Sequence, residues 1–158
     1  MRTAGPDDAT ALAGHINAAY AAEAFCIAGD RTDPGEVAAL MEKGAFLLDE
    51  ADGVLRASVY LRRDPGDRWY LGLLSVAPPL QGRGLGRAMV EAAAARCAAD
   101  GGRFLDLTVV SARKELFPFY GNLGFHPVEV LPYRAPEKLR VPCRLVRMTR
   151  CLVRAEDL

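Results

Sequence analysis

Hydrophobic and polar positions along the chain change period several times, and each change marks an element. Residues 1–4 read as a short edge strand. Gly5-Pro6-Asp7-Asp8 then gives a turn and an acidic helix start, suited to the positive end of a helix dipole. From Asp8 onward Leu12, Ile16, Ala19 and Glu23 recur at helical spacing with Tyr20 beside them, and Glu23 is the odd polar member of that stripe. In the next helix Asp33 caps, Pro34 takes the first position and Gly44 stops the run.

The period then shortens to two. AFLLDE, GVLRASVYLRR and RWYLGLLSV read as three strands joined by ADG and DPGD turns, and Pro78-Pro79 ends the third, because neither can donate to a ladder. An alanine-rich helix runs to about Asp100 and stops at Gly101-Gly102. In it Leu85, Ala88, Met89, Ala92 and Ala99 are expected to face the sheet, with Arg96 snorkelling from the same face. RFLDLTVV has the apolar, β-branched character of a central strand. RKELFPFYGNLGF reads as a short helix that ends at Gly121 or Gly124 and must start late or kink, because Pro118 lies inside it. Residues 126–153 read as two strands around a proline-rich loop. The order β-α-α-β-β-β-α-β-α-β-β predicts a mixed α/β sheet of α+β character with helices on its faces.

Composition narrows the classes. A chain of 158 residues, 51% hydrophobic and 25% charged, is expected to form one domain over 1–158. A formal net charge of +0 argues against a nucleic-acid partner, since phosphate-backbone binders are usually basic. Cys26, Cys97, Cys143 and Cys151 match neither a CxxC pair nor a zinc pattern, so free thiols in a reducing compartment and no metal are expected. No apolar run spans a bilayer and the first ten residues lack a signal-peptide core. The expectation is a cytoplasmic protein with no membrane partner.

The chemistry concentrates in Gln81-Gly82-Arg83-Gly84-Leu85-Gly86. Three glycines open a helix, where unpaired N–H groups and the helix dipole suit an anion, and Arg83 and Arg87 add positive charge. A P-loop fails because Gly86-Arg87-Ala88 stands where GK[ST] is needed. The GxGxG spacing also misses the GxGxxG dinucleotide fingerprint, although Asp106 lies 20 residues beyond Gly86.

The loop instead matches (Q/R)xxGx(G/A) and resembles the acetyl-CoA pyrophosphate loop of GNAT-type N-acetyltransferases. KELFPFYGNLGF is similar to that family's later helix, so the resemblance covers residues 71 to 125. It implies a mostly antiparallel, splayed sheet flanked by about four helices. Strands 69–76 and 104–110 would part, and the pantetheine arm would enter the gap against backbone groups of Leu74, Ser75 and Val76. One such N–H would polarise the thioester carbonyl. Gln81, Gly82, Arg83, Gly84, Leu85, Gly86 and Arg87 would hold the diphosphate. Ser111 would stand in for a CoA-contacting Asn that this chain replaces around Arg113.

By the same resemblance Tyr120 is the general acid for the departing thiolate; packing under the sulfur is the plainer reading. No Asp, Glu or His lies between Arg68 and Val76, so Glu23 is the candidate base; a helix ending near Tyr20 would instead leave it in solvent. His15 and His126 read as surface residues. Asp30 and Asp33 are candidates for a cationic amine, or a solvated turn. The implied reaction is direct acetyl transfer from acetyl-CoA to a small-molecule or peptide amine, with no nucleophilic cysteine. A non-catalytic acyl-CoA sensor and a nucleotide-binding oxidoreductase are the alternatives. Strand 142–153 is a candidate exposed edge for a homodimer.

Overall fold

The computed structural model describes residues 1–152. Among the described residues seven strands form one sheet in the order β1-β2-β3-β4-β5-β7-β6. They are β1 (Arg2–Thr3), β2 (Ala45–Ala51), β3 (Val54–Asp64), β4 (Arg68–Val76), β5 (Phe104–Val110), β6 (His126–Pro132) and β7 (Arg144–Cys151). Four α-helices accompany them: α1 (Ala9–Tyr20), α2 (Pro34–Lys43), α3 (Leu85–Ala99) and α4 (Leu116–Gly121). The element order is the one the periodicity predicts, and every pairing is antiparallel except β4 with β5.

The sheet separates two cores. On one face Leu12 and Ile16 of α1 and Val37 of α2 meet Phe46, Leu48 and Tyr60. On the other, α3 and α4 cover Val59, Leu71, Leu105 and Leu107. The inward face of α3 is Met89, Val90, Ala93, Ala94 and Cys97, one residue round from the expected stripe; Ala88 and Ala99 are exposed. Alanines on every side of this helix left its rotation open, and the larger Val90 and Cys97 set it. Arg96 lies outside that face and pairs with Asp100 at 3.5 Å, so it has nothing to snorkel past.

The expected edge strand 142–153 is corrected: β7 lies between β5 and β6, with both sides paired, and Val153 is outside the described residues. The outer strand is β6, bracketed by Pro127 and Pro132, with Val128 and Val130 in solvent.

Two features of β4 open the sheet near its centre. The first is that it pairs with β5 through Arg68–Phe104, Trp69–Leu105 and Tyr70–Asp106 and then leaves it, so the two strands splay. At the closed end Arg68 grips Asp106 with two bonds of 2.7 Å, and Thr149 donates a third to the same carboxylate. The second is a bulge. Tyr60 faces Gly72 but Ser58 faces Ser75, so β4 spends one extra residue, and Leu73 sits at φ +52°. The bulge reverses the alternation: Leu71 points to the α3 core, Leu73 to the α1 core, and Leu74 and Val76 return to the α3 side.

Burial alone would raise the Asp106 carboxyl, but its bonds from Arg68 and Thr149 outweigh that and hold it below the ordinary range. A depressed carboxylate stabilises the fold above its unfolded pKa and loses that effect as pH falls through its folded pKa. Asp106→Asn is therefore expected to cost about 2 kcal/mol at pH 7 in urea unfolding. The gap to wild type should close as the pH drops below the aspartate range.

Candidate active site

Beyond Tyr70 no residue of β4 pairs with β5, so the edge of β4 that faces β5 is open to a ligand's polar groups. Leu74 and Val76, turned this way by the bulge, line a cavity of about 420 Å³ together with the loop 81–87 and the side chains of Phe119 and Tyr120. Ser75 faces away: its hydroxyl donates to the Leu73 carbonyl at 2.9 Å and steadies the bulge.

The glycine loop answers why glycine is needed there. Gly82 and Gly84 have φ of +80° and +83°, and a Cβ on either would meet nothing within 4 Å. The requirement is backbone conformation, not crowding. Gly84 precedes α3 and no side chain caps the helix, which leaves its first N–H groups for an anion. Gln81 is tied back to the Val76 carbonyl at 3.1 Å. Arg87 lines the cavity, as do Gln81, Gly82, Leu85 and Gly86, while Arg83 stands on the exposed outside of the loop; neither arginine has an acidic partner among the described residues. This donor set fits a diphosphate.

Tyr120 is placed by local sequence. Gly124, at φ +90°, closes a Schellman turn: Phe125 N–H bonds to the Tyr120 carbonyl at 3.1 Å and Gly124 N–H to the Gly121 carbonyl at 3.1 Å. The Phe125 ring packs on Tyr120 at 5.8 Å between centroids. Pro118 is harmless because α4 starts late, at Leu116, so its missing N–H falls in the first turn. The Tyr120 hydroxyl has no hydrogen-bond partner among the described residues, and burial pushes it well above the usual phenol range, so it is a held proton.

Glu23 is buried, though not on a helix stripe. α1 ends at Tyr20, and one tight turn, Ala21–Glu23, swings the carboxylate inward, to 7% exposure. Its carbonyl accepts from Cys26 and Ile27 N–H, which fixes the turn. Arg113 approaches the carboxylate at 3.4 Å. Burial raises the carboxyl; Arg113, Arg31 and Arg134 pull it partly back. Arg113 also lines the 420 Å³ cavity, so sequence reasoning noticed this residue only as a missing Asn and missed its partner.

A second cavity of about 670 Å³ opens on the α1 side, lined in part by Tyr60, Tyr70 and Tyr133. A slot of about 60 Å³ lies between the two, sharing Leu74 and Tyr120 with the first and Gly72 and Tyr133 with the second. Tyr20 and Glu23 line all three spaces. The arrangement offers an anion cradle, a narrow passage, a proton donor at one side and a carboxylate of raised pKa at the other.

Other expected residues lie elsewhere. Ser111 does not line the cavities; its hydroxyl accepts the Arg144 N–H at 2.8 Å and anchors the start of β7. His15 is half-buried, not at the surface, with Nε2 3.4 Å from the Ser75 carbonyl; His126 is exposed. Asp30 lines the larger cavity, whereas Asp33 is used in capping α2 through the Glu36 N–H at 2.8 Å. The four cysteines are free thiols, and burial pushes Cys97 up to about 12, which keeps it protonated.

Comparison with known proteins agrees with this layout. The profile of the acetyltransferase (GNAT) family matches residues 16–125. Mycothiol acetyltransferase of Beutenbergia cavernae is 35% identical over 82 residues, which are 52% of this chain and 28% of that protein. The match thus spans under a third of the curated relative's length. Among solved structures, an acetyltransferase of the GNAT family from Staphylococcus aureus superposes with a TM-score of 0.77 at 16% identity, over 96% of this chain and 98% of that one. The protein yncA of Salmonella typhimurium, solved with its cofactor acetyl-CoA, superposes with a TM-score of 0.75 at 21% identity, over 97% and 93%. No helix among the described residues is long and apolar enough to cross a membrane.

Because Arg113 lowers the Glu23 carboxyl against the larger effect of burial, removing it should leave burial less opposed. Arg113→Met is expected to move the Glu23 titration to higher pH, read as the carboxyl carbon shift by NMR.

Proposed function

This chain belongs to the acetyltransferase (GNAT) family, and on that premise we propose that it transfers the acetyl group of acetyl-CoA directly to a primary amine, without a covalent enzyme intermediate. The observation that carries the reading is the slot: it lies between an anion cradle and a separate cavity, and both Tyr120 and Glu23 line it. A module that only bound acyl-CoA would need the cradle but not the passage.

In this reading the N-terminus of α3, the Gly82 and Gly84 backbone and Arg87 hold the diphosphate. Leu74 and Val76 flank the pantetheine arm along the open edge of β4, and a backbone N–H there steadies charge on the carbonyl oxygen. Glu23 accepts a proton from the incoming ammonium, and its raised pKa suits that task better than an exposed carboxylate would. The amine nitrogen forms the new C–N bond as the C–S bond breaks. Tyr120 gives its proton to the departing thiolate. The half-buried Glu23–Arg113 pair links the base to the wall of the cosubstrate cavity.

Calorimetric titration tests the cradle. Wild type is expected to bind acetyl-CoA, and Gly84→Glu, folded but with a carboxylate in the loop, to lose at least tenfold in affinity. No affinity in folded wild type would overturn the proposal. Tyr120→Phe should lower kcat by ~10²-fold at little cost in acetyl-CoA affinity. Glu23 must be ionised to act, so kcat/KM should fall as pH drops through a value above the ordinary glutamate range. That limb should vanish in Glu23→Gln.

A further inference from the structure

The wider cavity holds cations that have no acidic partner among the described residues. Arg31 lies over the Tyr20 ring at 5.5 Å and Arg134 over the Tyr133 ring at 5.7 Å. Neither guanidinium has a hydrogen bond or an acidic partner among the described residues. Both line the 60 Å³ slot as well as the large cavity, and both act on the Glu23 carboxylate electrostatically. Arg62, also in that cavity, is already spent on Asp64 at 2.9 Å.

The backbone that carries the two arginines is held in place. Asn17 clamps the backbone next to Arg31, donating to the Thr32 carbonyl and accepting its N–H, each at 2.9 Å. The loop that carries Arg134 is tied to the loop after Glu23 by Ala28 N–H to the Lys138 carbonyl and Arg140 N–H to the Cys26 carbonyl, both 2.8 Å. Guanidiniums left unpaired by the described residues, each over a ring face on a tied backbone, suit a carboxylate, because the planar fork is bidentate.

We propose that the acceptor is a free amino acid, whose amine meets Glu23 in the slot while its carboxylate is received by Arg31 and Arg134. Both arginines line the slot beside Glu23, so an anion next to the amine is within their reach there. The tyrosine-lined remainder of that cavity then takes an apolar or aromatic side chain. Asp30, Glu36 and Lys138 also border the cavity and are exposed, as Arg134 is, whereas Arg31 is half-buried between Tyr20 and the slot. The inference rests on the acyl-transfer reading above.

The test measures acetylated product by mass spectrometry with acetyl-CoA and four amines: L-phenylalanine, L-leucine, L-phenylalanine amide and spermidine. Free amino acids are expected to exceed the amide at least tenfold in kcat/KM. Arg31→Gln and Arg134→Gln are each expected to narrow that acid-to-amide ratio about tenfold, while calorimetry shows acetyl-CoA still bound. Three results overturn the proposal with acetyl-CoA binding intact: equal or better use of the amide, preference for spermidine, or no turnover of any of the four. Loss of acetyl-CoA binding in wild type would instead sink the reading on which it rests.

Discussion

Everything in the site depends on two parallel strands that remain joined for three residue pairs and then separate. Arg68 and Asp106 clamp the joined end, where a doubly bonded ion pair keeps a partly buried carboxylate satisfied. Past Tyr70 the strands diverge, and the polar backbone of β4 that a regular sheet would have used is turned toward a gap. Two cavities and the slot between them result from that single departure from ladder geometry. The bulge at Leu73 complements it: one extra residue turns Leu74 and Val76 to the cosubstrate side and Ser75 away.

Much of this was legible in the chain because it is encoded locally. The glycine loop announces itself by residue type, since positive φ at Gly82 and Gly84 is a property of the backbone at those positions. FYGNLGF spells a helix end whose hydrogen bonds all fall within a few residues, so Tyr120 could be placed from sequence. Element order followed from period changes for the same reason.

What was not legible is long-range. β7 between β5 and β6 is a pairing choice across some forty residues, and no periodicity reports it. The rotation of α3 was ambiguous because alanine occurs on all its faces. Glu23 was found for the wrong local reason: the helix ends at Tyr20, as the competing reading held, yet the following turn buries the side chain. Arg31 and Arg134 lie a hundred residues apart and meet at a slot that exists only once the sheet has splayed. Gly72, a glycine inside a strand pattern, was the one available sign of the bulge.

The slot has a consequence for how such a protein can change over generations. The large cavity and the cosubstrate cavity share only Tyr20 and Glu23 among their lining residues. The large cavity is assembled mainly from segments 17–40 and 133–138, the smaller one mainly from 74–87 and 113–120. Apart from Ala19, Tyr20, Ala22 and Glu23, which line the smaller cavity, residues of the first group can change without touching the loop at the start of α3. Divergence is thereby channelled into two short stretches of chain, and a lineage can reshape one cavity while the other is inherited unchanged.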